Sequence, residues 1–288
     1  MKKLTVFCAA ACLAASAAAQ NHPDLHEVLD RQKGRNLIEI PKGTYTLDVR
    51  SNGPYKFHNL TDVHINGNGS TVICNNQEQA FSFYNCVRVE LHDLTIDYDP
   101  LCFTQGEITA VAEDGSWFDV RIDEGYPVTG LAANRVQFYD PQTRLLKRNS
   151  ITTYTSNYSA LKQLGHNLFR AVKNGTWSAG EQVGDLVVMD VKTDKPNAGV
   201  HTVMLNKCYN TKLENVTVYG SNTFSFFEKE GYANEYRNCV VDRGPMPQGI
   251  RPRLRSGNAD GIHSSQARKG PTVTGCKVGH NGDDCIIV

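Results

Sequence analysis

The sequence predicts an all-β protein: a right-handed parallel β-helix with an inserted antiparallel β subdomain and a short N-terminal capping helix. Two observations support this fold class. Beyond residue 47, short β-branched runs alternate with Asn, Gly and Asp, and no stretch has a convincing helical period. Segments with one apolar pattern also recur at intervals of about twenty to thirty residues. A unit of that length cannot bury its apolar face alone, so successive coils are expected to stack.

Composition narrows the class of protein further. The chain has 288 residues, of which 40% are hydrophobic, and thirty Lys and Arg balance thirty Asp and Glu. This is an ordinary globular composition. Zero net charge argues against a nucleic-acid partner, because nucleic-acid binders usually carry a basic surface.

Residues 1–19 have the pattern of a secretory signal peptide. Lys2 and Lys3 precede a short apolar run, and Ala17-Ala18-Ala19 offers a cleavage site. The run is too short to span a bilayer as a mature helix, and no second run of spanning length follows, so no transmembrane segment is predicted. We therefore expect export to the periplasm or the extracellular space.

Residues 20–99 are predicted to hold the N-terminal cap and the first coils. Residues 24–33 (D-L-H-E-V-L-D-R-Q-K) form an amphipathic pattern that Gly34 closes, which predicts the capping helix. Residues 37–40 and 44–47 then predict two strands around the turn Pro41-Lys42-Gly43.

Two segments far apart in the chain share one register. Residues 85–98 read N-C-V-R-V-E-L-H-D-L-T-I-D-Y, and residues 207–220 read K-C-Y-N-T-K-L-E-N-V-T-V-Y-G. Cys86 aligns with Cys208 and Leu91 with Leu213. Equivalent apolar residues should therefore form ladders inside a stack. A β-sandwich is the alternative fold, but repeated registers favour stacking.

Residues 100–199 break the repeat and are predicted to form the inserted antiparallel subdomain. Alternating runs at 107–112 and 117–122 flank E-D-G-S, a hairpin turn. Residues 134–139 and 185–191 add further strands.

Residues 200–288 are predicted to form the later coils, which carry an acidic cluster. The motifs are N-A-D-G-I-H-S-S and G-H-N-G-D-D-C-I-I-V. Asp260 lies 23 residues before Asp283, about one coil, and adjacent coils lie about 4.8 Å apart. Asp260 should thus lie near the pair Asp283 and Asp284, with Gly282 permitting the bend that lets both side chains share a cleft. The alternative is that these residues only form turns.

These motifs resemble those of known glycosidases. N-A-D-G-I-H together with G-D-D-C-I is similar to the N-T-D-G-I-D and G-D-D-C-[IV] signature of polygalacturonases, glycoside hydrolase family 28. Residues 94–107 (L-T-I-D-Y-D-P-L-C-F-T-Q-G-E) and 183–189 (V-G-D-L-V-V-M) resemble the α-1,3-galactosidases of glycoside hydrolase family 110. The resemblance implies a secreted inverting hydrolase that acts on α-galactosidic or α-galacturonosidic linkages in a polysaccharide or oligosaccharide.

The resemblance also implies roles for the three aspartates. Asp283 matches the general acid, and Asp260 and Asp284 match the pair that activates water. This sequence departs from the signature at Ala259, where the motif has Thr, and at His263, where it has Asp.

Four further side chains are expected in the substrate cleft: His263, His280, Arg255 and Asn258. Each has a plainer interpretation, as a structural histidine, a solvated loop residue or a turn cap.

No metal site and no cofactor are predicted. The cysteines are expected to be small core residues, since the chain holds no C-x-x-C pair. Asp97 and Asp99 could ligate Ca²⁺ with a third oxygen donor, but a turn at the strand end before Pro100 is favoured.

Residues 285–288 form an apolar strand without a capping element, which suggests a chain truncated at its C-terminal side. Three other functions stay open. A β-helix polysaccharide lyase would need Ca²⁺ and a basic Arg or Lys. A non-catalytic glycan-binding protein and an inactive fragment are the remaining two. The sequence does not indicate an oligomeric state.

Overall fold

The computed structural model describes residues 22–192 and 200–288. The predicted signal peptide lies outside the described residues, so it stays a prediction. The strands that the structure describes are, in chain order, β1 (Leu37–Glu39), β2 (Thr44–Leu47), β3 (Tyr55–His58), β4 (Thr61–Cys74), β5 (Phe81–Tyr84), β6 (Val87–Tyr98), β7 (Phe103–Val111), β8 (Trp117–Ile122), β9 (Gln137–Tyr139), β10 (Tyr158–Gly165), β11 (Leu168–Lys173), β12 (Leu186–Asp190), β13 (Val203–Asn206), β14 (Lys212–Tyr219), β15 (Phe226–Lys229), β16 (Glu235–Arg237), β17 (Val240–Val241), β18 (Ile262–Ser265), β19 (Thr272–Thr274), β20 (Lys277–Val278) and β21 (Ile286–Ile287).

The helices in the described part of the chain are few and short. They are α1 (Leu25–Asp30), α2 (Val49–Asn52) and a 3₁₀ turn (Thr155–Asn157). The Asp24 side chain caps α1 by accepting the backbone N–H of His26 at 3.0 Å. Helix α1 buries Leu25 and Leu29 in the core of the coils, as expected of a cap. Within residues 22–192 and 200–288, no helix is long and apolar enough to cross a membrane.

Two parallel sheets form the walls of the coils. The first runs in the order β1-β4-β6-β14-β16-β19, with β2, β17 and β20 paired at its side. Its register is the one that the repeats predict, because Leu91 pairs with Leu213 across β6 and β14. The second runs β3-β5-β13-β15-β18-β21 and is parallel throughout. Alternate side chains of both sheets point inward and form one buried core. The predicted parallel β-helix is confirmed.

The third sheet is antiparallel and interrupts the stack. Strands β7 to β12 pair in the order β10-β11-β8-β7-β12-β9. This sheet has an apolar core of its own, which includes Phe103, Phe118 and Phe138. The inserted antiparallel sheet of the prediction is therefore present, while the proposed domain boundaries at residues 99 and 199 stay predictions.

Candidate functional site

The structure brings three carboxylates together at one edge of the second sheet. Asp260 lies in the loop before β18, and Asp283 and Asp284 lie in the loop before β21. Strands β18 and β21 are paired, and the N–H of Gly261 donates to the carbonyl of Asp284 at 3.0 Å, so Asp284 is stacked on Asp260. One oxygen of each carboxylate lies within 4.8 Å of the others. The spacing of one coil predicts this proximity, whereas the catalytic roles stay predictions.

Gly282 allows the two coils to approach closely. Its N–H donates to the carbonyl of Gly257 at 2.9 Å. A Cβ at this position would lie only 2.4 Å from the carbonyl oxygen of Asn258. The bend that the sequence predicts is present, because the backbone bends at residues 282 and 283. The φ of Gly282 is outside the left-handed region, so what the position requires of glycine is the absence of a side chain.

Asp260 and His263 form a hydrogen-bonded pair. Nδ1 of His263 lies 2.7 Å from Oδ2 of Asp260, and their side chains are 24% and 6% exposed respectively. Of the four predicted substrate-binding residues, His263 is thus the one that the structure joins directly to the acidic cluster.

Arg135 comes to the cluster from the inserted sheet. Its Nη1 lies 2.6 Å from Oδ2 of Asp283. Burial lowers the pKa of Arg135, but the hydrogen bond and the charge of Asp283 outweigh it, so the pKa is raised. Its backbone has φ 44, a strained value for a bulky residue. Sequence reasoning missed Arg135, because nothing in N-R-V-Q-F indicates a partner 148 residues away.

Arg255 and Asn258 lie behind the cluster rather than in a cleft. They are 0% and 1% exposed. Nη1 of Arg255 donates to Oδ1 of Asp190 at 2.8 Å and to Oδ1 of Asn258 at 3.1 Å. Nη2 donates to Oε1 of Gln137 at 2.8 Å and to the carbonyl of Arg135 at 2.5 Å. The predicted substrate contact of these two residues is therefore corrected: their polar groups bind the insert to the coils.

The carboxylate that Arg255 binds, Asp190, has a pKa shifted by its burial. Burial raises the pKa of Asp190, and the positive charge of Arg255 opposes that shift. Close by, Nε2 of Gln137 donates to the carbonyl of Gly282 at 3.0 Å. Two contacts therefore hold the loop of Asp283 against the insert. One is the hydrogen bond from Gln137 to the carbonyl of Gly282, and the other is the ion pair of Arg135 with Asp283.

His280 lies away from the three aspartates. It follows β20 with φ 60, and its Nε2 is 3.8 Å from Oδ1 of Asp242. Burial, followed by the charge of Arg243, lowers its pKa. Among the contacts of the described residues, none joins His280 to the cluster, so a role in substrate binding stays a prediction without support from the geometry.

The arrangement permits two kinds of chemistry. Closely spaced carboxylates can divide the tasks of proton donor and base. They can also hold a divalent cation, since Ca²⁺ takes oxygen ligands at about 2.3–2.6 Å, so that oxygens on opposite sides of the ion are about 5 Å apart. The three oxygens, all within 4.8 Å of one another, fit either use.

Comparisons with known proteins give structural likenesses only. No family model matches the chain, and no curated protein matches it. The tailspike protein gp49 from Pseudomonas phage LKA1 is similar with a TM-score of 0.23 and 11% identity, over 83% of this chain and 50% of the tailspike. The Gp54 tailspike of Acinetobacter baumannii bacteriophage AP22, solved in complex with capsular saccharide, gives a TM-score of 0.22 and 12% identity, over 90% of this chain and 53% of the tailspike. The chain spans about half the length of each.

Proposed function

We propose that the protein is an exported glycoside hydrolase that acts, with inversion, on α-galactosidic or α-galacturonosidic linkages in glycans. One observation carries the proposal: Asp260, Asp283 and Asp284 converge at one point. Two carboxyl groups flanking a glycosidic bond are the minimal machinery of most glycosidases. The linkage and the sugar class come from the sequence resemblance.

The exposure of the carboxylates fits a division of labour. The side chain of Asp283 is 46% exposed, whereas that of Asp260 is 6% exposed. Asp283 can therefore meet the leaving oxygen of a bound glycan and give it a proton. Asp260 and Asp284 take the proton of a water molecule as its oxygen bonds to the anomeric carbon and the glycosidic bond breaks. Arg135 must leave Asp283, or share it with substrate, before that proton transfer.

The distance between the carboxylates bears on whether hydrolysis inverts or retains the anomeric configuration. Inverting pairs usually stand about 6.5–9.5 Å apart to admit a water, and retaining pairs about 5–5.5 Å. The oxygens within 4.8 Å of one another are close to the second value. Inversion therefore rests on the sequence resemblance, and the first-formed anomer of the product, read by proton NMR, decides between the two.

The decisive experiment is Asp283→Asn, assayed with polygalacturonate and with 4-nitrophenyl α-galactoside. We expect hydrolysis of polygalacturonate to fall by about 10²–10⁴-fold, the usual contribution of a general acid, and that of the nitrophenyl galactoside to fall less, because 4-nitrophenolate is a good leaving group. Asp62→Asn is the matched control, because Asp62 and Asp283 are 56% and 46% exposed and each has one arginine at 2.6 Å. Full activity in Asp283→Asn would exclude the assigned role, and no hydrolysis by the unaltered protein would exclude the function.

A polysaccharide lyase is the second candidate, and Arg135 favours it. A lyase needs a cation and a basic residue, and the structure sets a guanidinium 2.6 Å from a carboxylate of the cluster. Its product absorbs ultraviolet light, because elimination leaves an unsaturated sugar. Cleavage of polygalacturonate that EDTA abolishes and that yields this product would establish the lyase, whereas EDTA-insensitive cleavage without it would exclude the lyase.

A further inference from the structure

The rings of His201, Phe224 and His263 form a stacked column that ends at Asp260. The ring of Phe224 lies between two imidazoles: its centroid is 4.6 Å from that of His201, with 13° between the planes, and 4.3 Å from that of His263, with 10°. His263 in turn pairs through Nδ1 with Asp260 at 2.7 Å. The residues come from successive coils, in the loops before β13 and β15 and in β18. One aromatic ring thus joins two histidines to the acidic cluster.

His201, at the end of the column away from Asp260, is neutral and held in one orientation. The hydroxyl of Thr223 donates to the carbonyl of Val200 at 2.5 Å, so its one hydrogen is used, and Oγ1 must accept from Nδ1–H of His201 at 2.9 Å. Burial, followed by the charge of His263, lowers the pKa of His201 to about 4. His201 therefore keeps one tautomer near neutral pH.

The contacts of Phe224 with the imidazoles differ from those of its neighbour Phe227. Phe227 is 4.3 Å from His201 at 41° and 5.6 Å from His263 at 61°. The ring of Phe227 is tilted against His201 and meets His263 edge-on, whereas the ring of Phe224 is stacked on the face of His263. Phe224, stacked 4.3 Å from His263, lies in the path that the imidazole sweeps when it turns about its Cβ–Cγ bond, whereas Phe227, at 5.6 Å and 61°, obstructs that path less.

That rotation matters because the imidazole torsion is soft and nearly two-fold. A half turn would exchange Nδ1 for a carbon atom. Asp260, whose side chain is 6% exposed, would then lose the N–H that it accepts from His263. An almost buried carboxylate without its donor is costly and loses its defined orientation.

We propose that Phe224 is a positioning residue. Its ring fixes the plane of His263 so that Nδ1–H is donated to Asp260. The orientation of His263 stands independently of any activity. Only the effect on turnover rests on the proposed function.

The orientation is tested by ¹⁵N NMR of the ring nitrogens of His263, assigned with His263→Gln. The unaltered protein should show a proton held on Nδ1. Phe224→Leu should give averaged shifts of an exchanging imidazole, Phe224→Tyr should restore the original pattern, and Phe227→Leu is the control that removes an equal ring from the same cluster. An unchanged His263 signal in Phe224→Leu, or equal disturbance in Phe227→Leu, overturns the proposal.

The effect on turnover is tested with polygalacturonate or 4-nitrophenyl α-galactoside. Phe224→Leu should lower kcat about tenfold and leave KM within about threefold, since orientation rather than binding is lost. Phe224→Tyr should recover kcat to within about twofold. An altered NMR pattern with unchanged kcat overturns the kinetic part. If the unaltered protein hydrolyses neither substrate, the proposed function fails, and the NMR result alone decides the role of Phe224.

Discussion

Replacing Gly282 by alanine should separate the two coils that carry the acidic side chains. The new Cβ would lie 2.4 Å from the carbonyl oxygen of Asn258 and 2.7 Å from its carbonyl carbon. Both are backbone atoms and cannot rotate away. Since Cβ contacts under 3.0 Å are essentially never seen, the loop must move by at least 3.0 − 2.4 = 0.6 Å. This loop carries Asp283 and Asp284.

Such a shift should lower both activity and stability. Misplacing reacting groups by about 1 Å can cost about 10²-fold in rate, so we expect kcat to fall by about 10- to 100-fold. Overpacking of this kind costs about 1–3 kcal/mol. Hydrolysis of the substrates named above gives the first quantity, and urea unfolding gives the second.

Gly279→Ala is the matched control for this variant. Gly279 belongs to the same coil, its φ is outside the left-handed region, and a Cβ there would meet nothing within 4 Å. We expect stability within about 0.5 kcal/mol of the original protein. If Gly282→Ala and Gly279→Ala behave alike, the close approach of the coils does not hold the site together.

Three further predictions test the surroundings of the site. Arg255→Met should lower the free energy of unfolding by about 3–5 kcal/mol, because it removes the ion-pair partner of the buried Asp190; a loss under about 1 kcal/mol in urea unfolding would contradict this. Arg135→Met should cost under about 1 kcal/mol of the free energy of unfolding, because its partner Asp283 is 46% exposed, and hydrolysis should be equal or faster, because Asp283 no longer has to leave an ion pair before it donates its proton; a tenfold or larger loss of hydrolysis would contradict this. His201 should make the fold acid-sensitive, because its pKa is lowered to about 4 in the folded state and is about 6.5 in the unfolded chain. Its contribution to the free energy of unfolding is therefore complete above pH 6.5 and is lost as the pH falls from there towards 4, by at most about 3 kcal/mol. His201→Phe should flatten that decrease in urea titrations at pH 7 and 4.5, and an unchanged slope would contradict the assignment.

The stacking register could be predicted from the sequence because it repeats. Cys86 aligns with Cys208, and the coils around them pair as expected although an entire antiparallel sheet intervenes. Apolar residues at equivalent positions must meet in the interior, so periodicity alone gives the contact. The proximity of Asp260 and Asp284 follows from the same argument, since they lie one coil apart.

The contribution of the insert could not be predicted in this way. The position of Arg135 depends on how the antiparallel sheet packs on the coils, and no repeat encodes that packing. The segment R-P-R-L-R shows the same limit. The sequence predicts Arg255 as a residue of the cleft or of a solvated loop, whereas Arg253 is 5% and Arg255 is 0% exposed, each paired with an aspartate. Buried arginines need partners from elsewhere in the chain, and their sequence neighbours do not reveal them.

The pairing of β6 with β14 has a consequence for biosynthesis. Asp93 and Asn215 bond across this junction although 122 residues separate them. At about 5–20 residues per second, the ribosome needs on the order of 10 s to make the intervening chain. During that time the edge of β6 has unpaired N–H and C=O groups, which favours association with other nascent chains. The insert can begin to fold in the interval, but its core is completed by Leu254, which is made after β14. Leu254 and Arg255 both precede Asp283 in the chain, so the insert can pack on the coils and position Arg135 before the acidic loop is added.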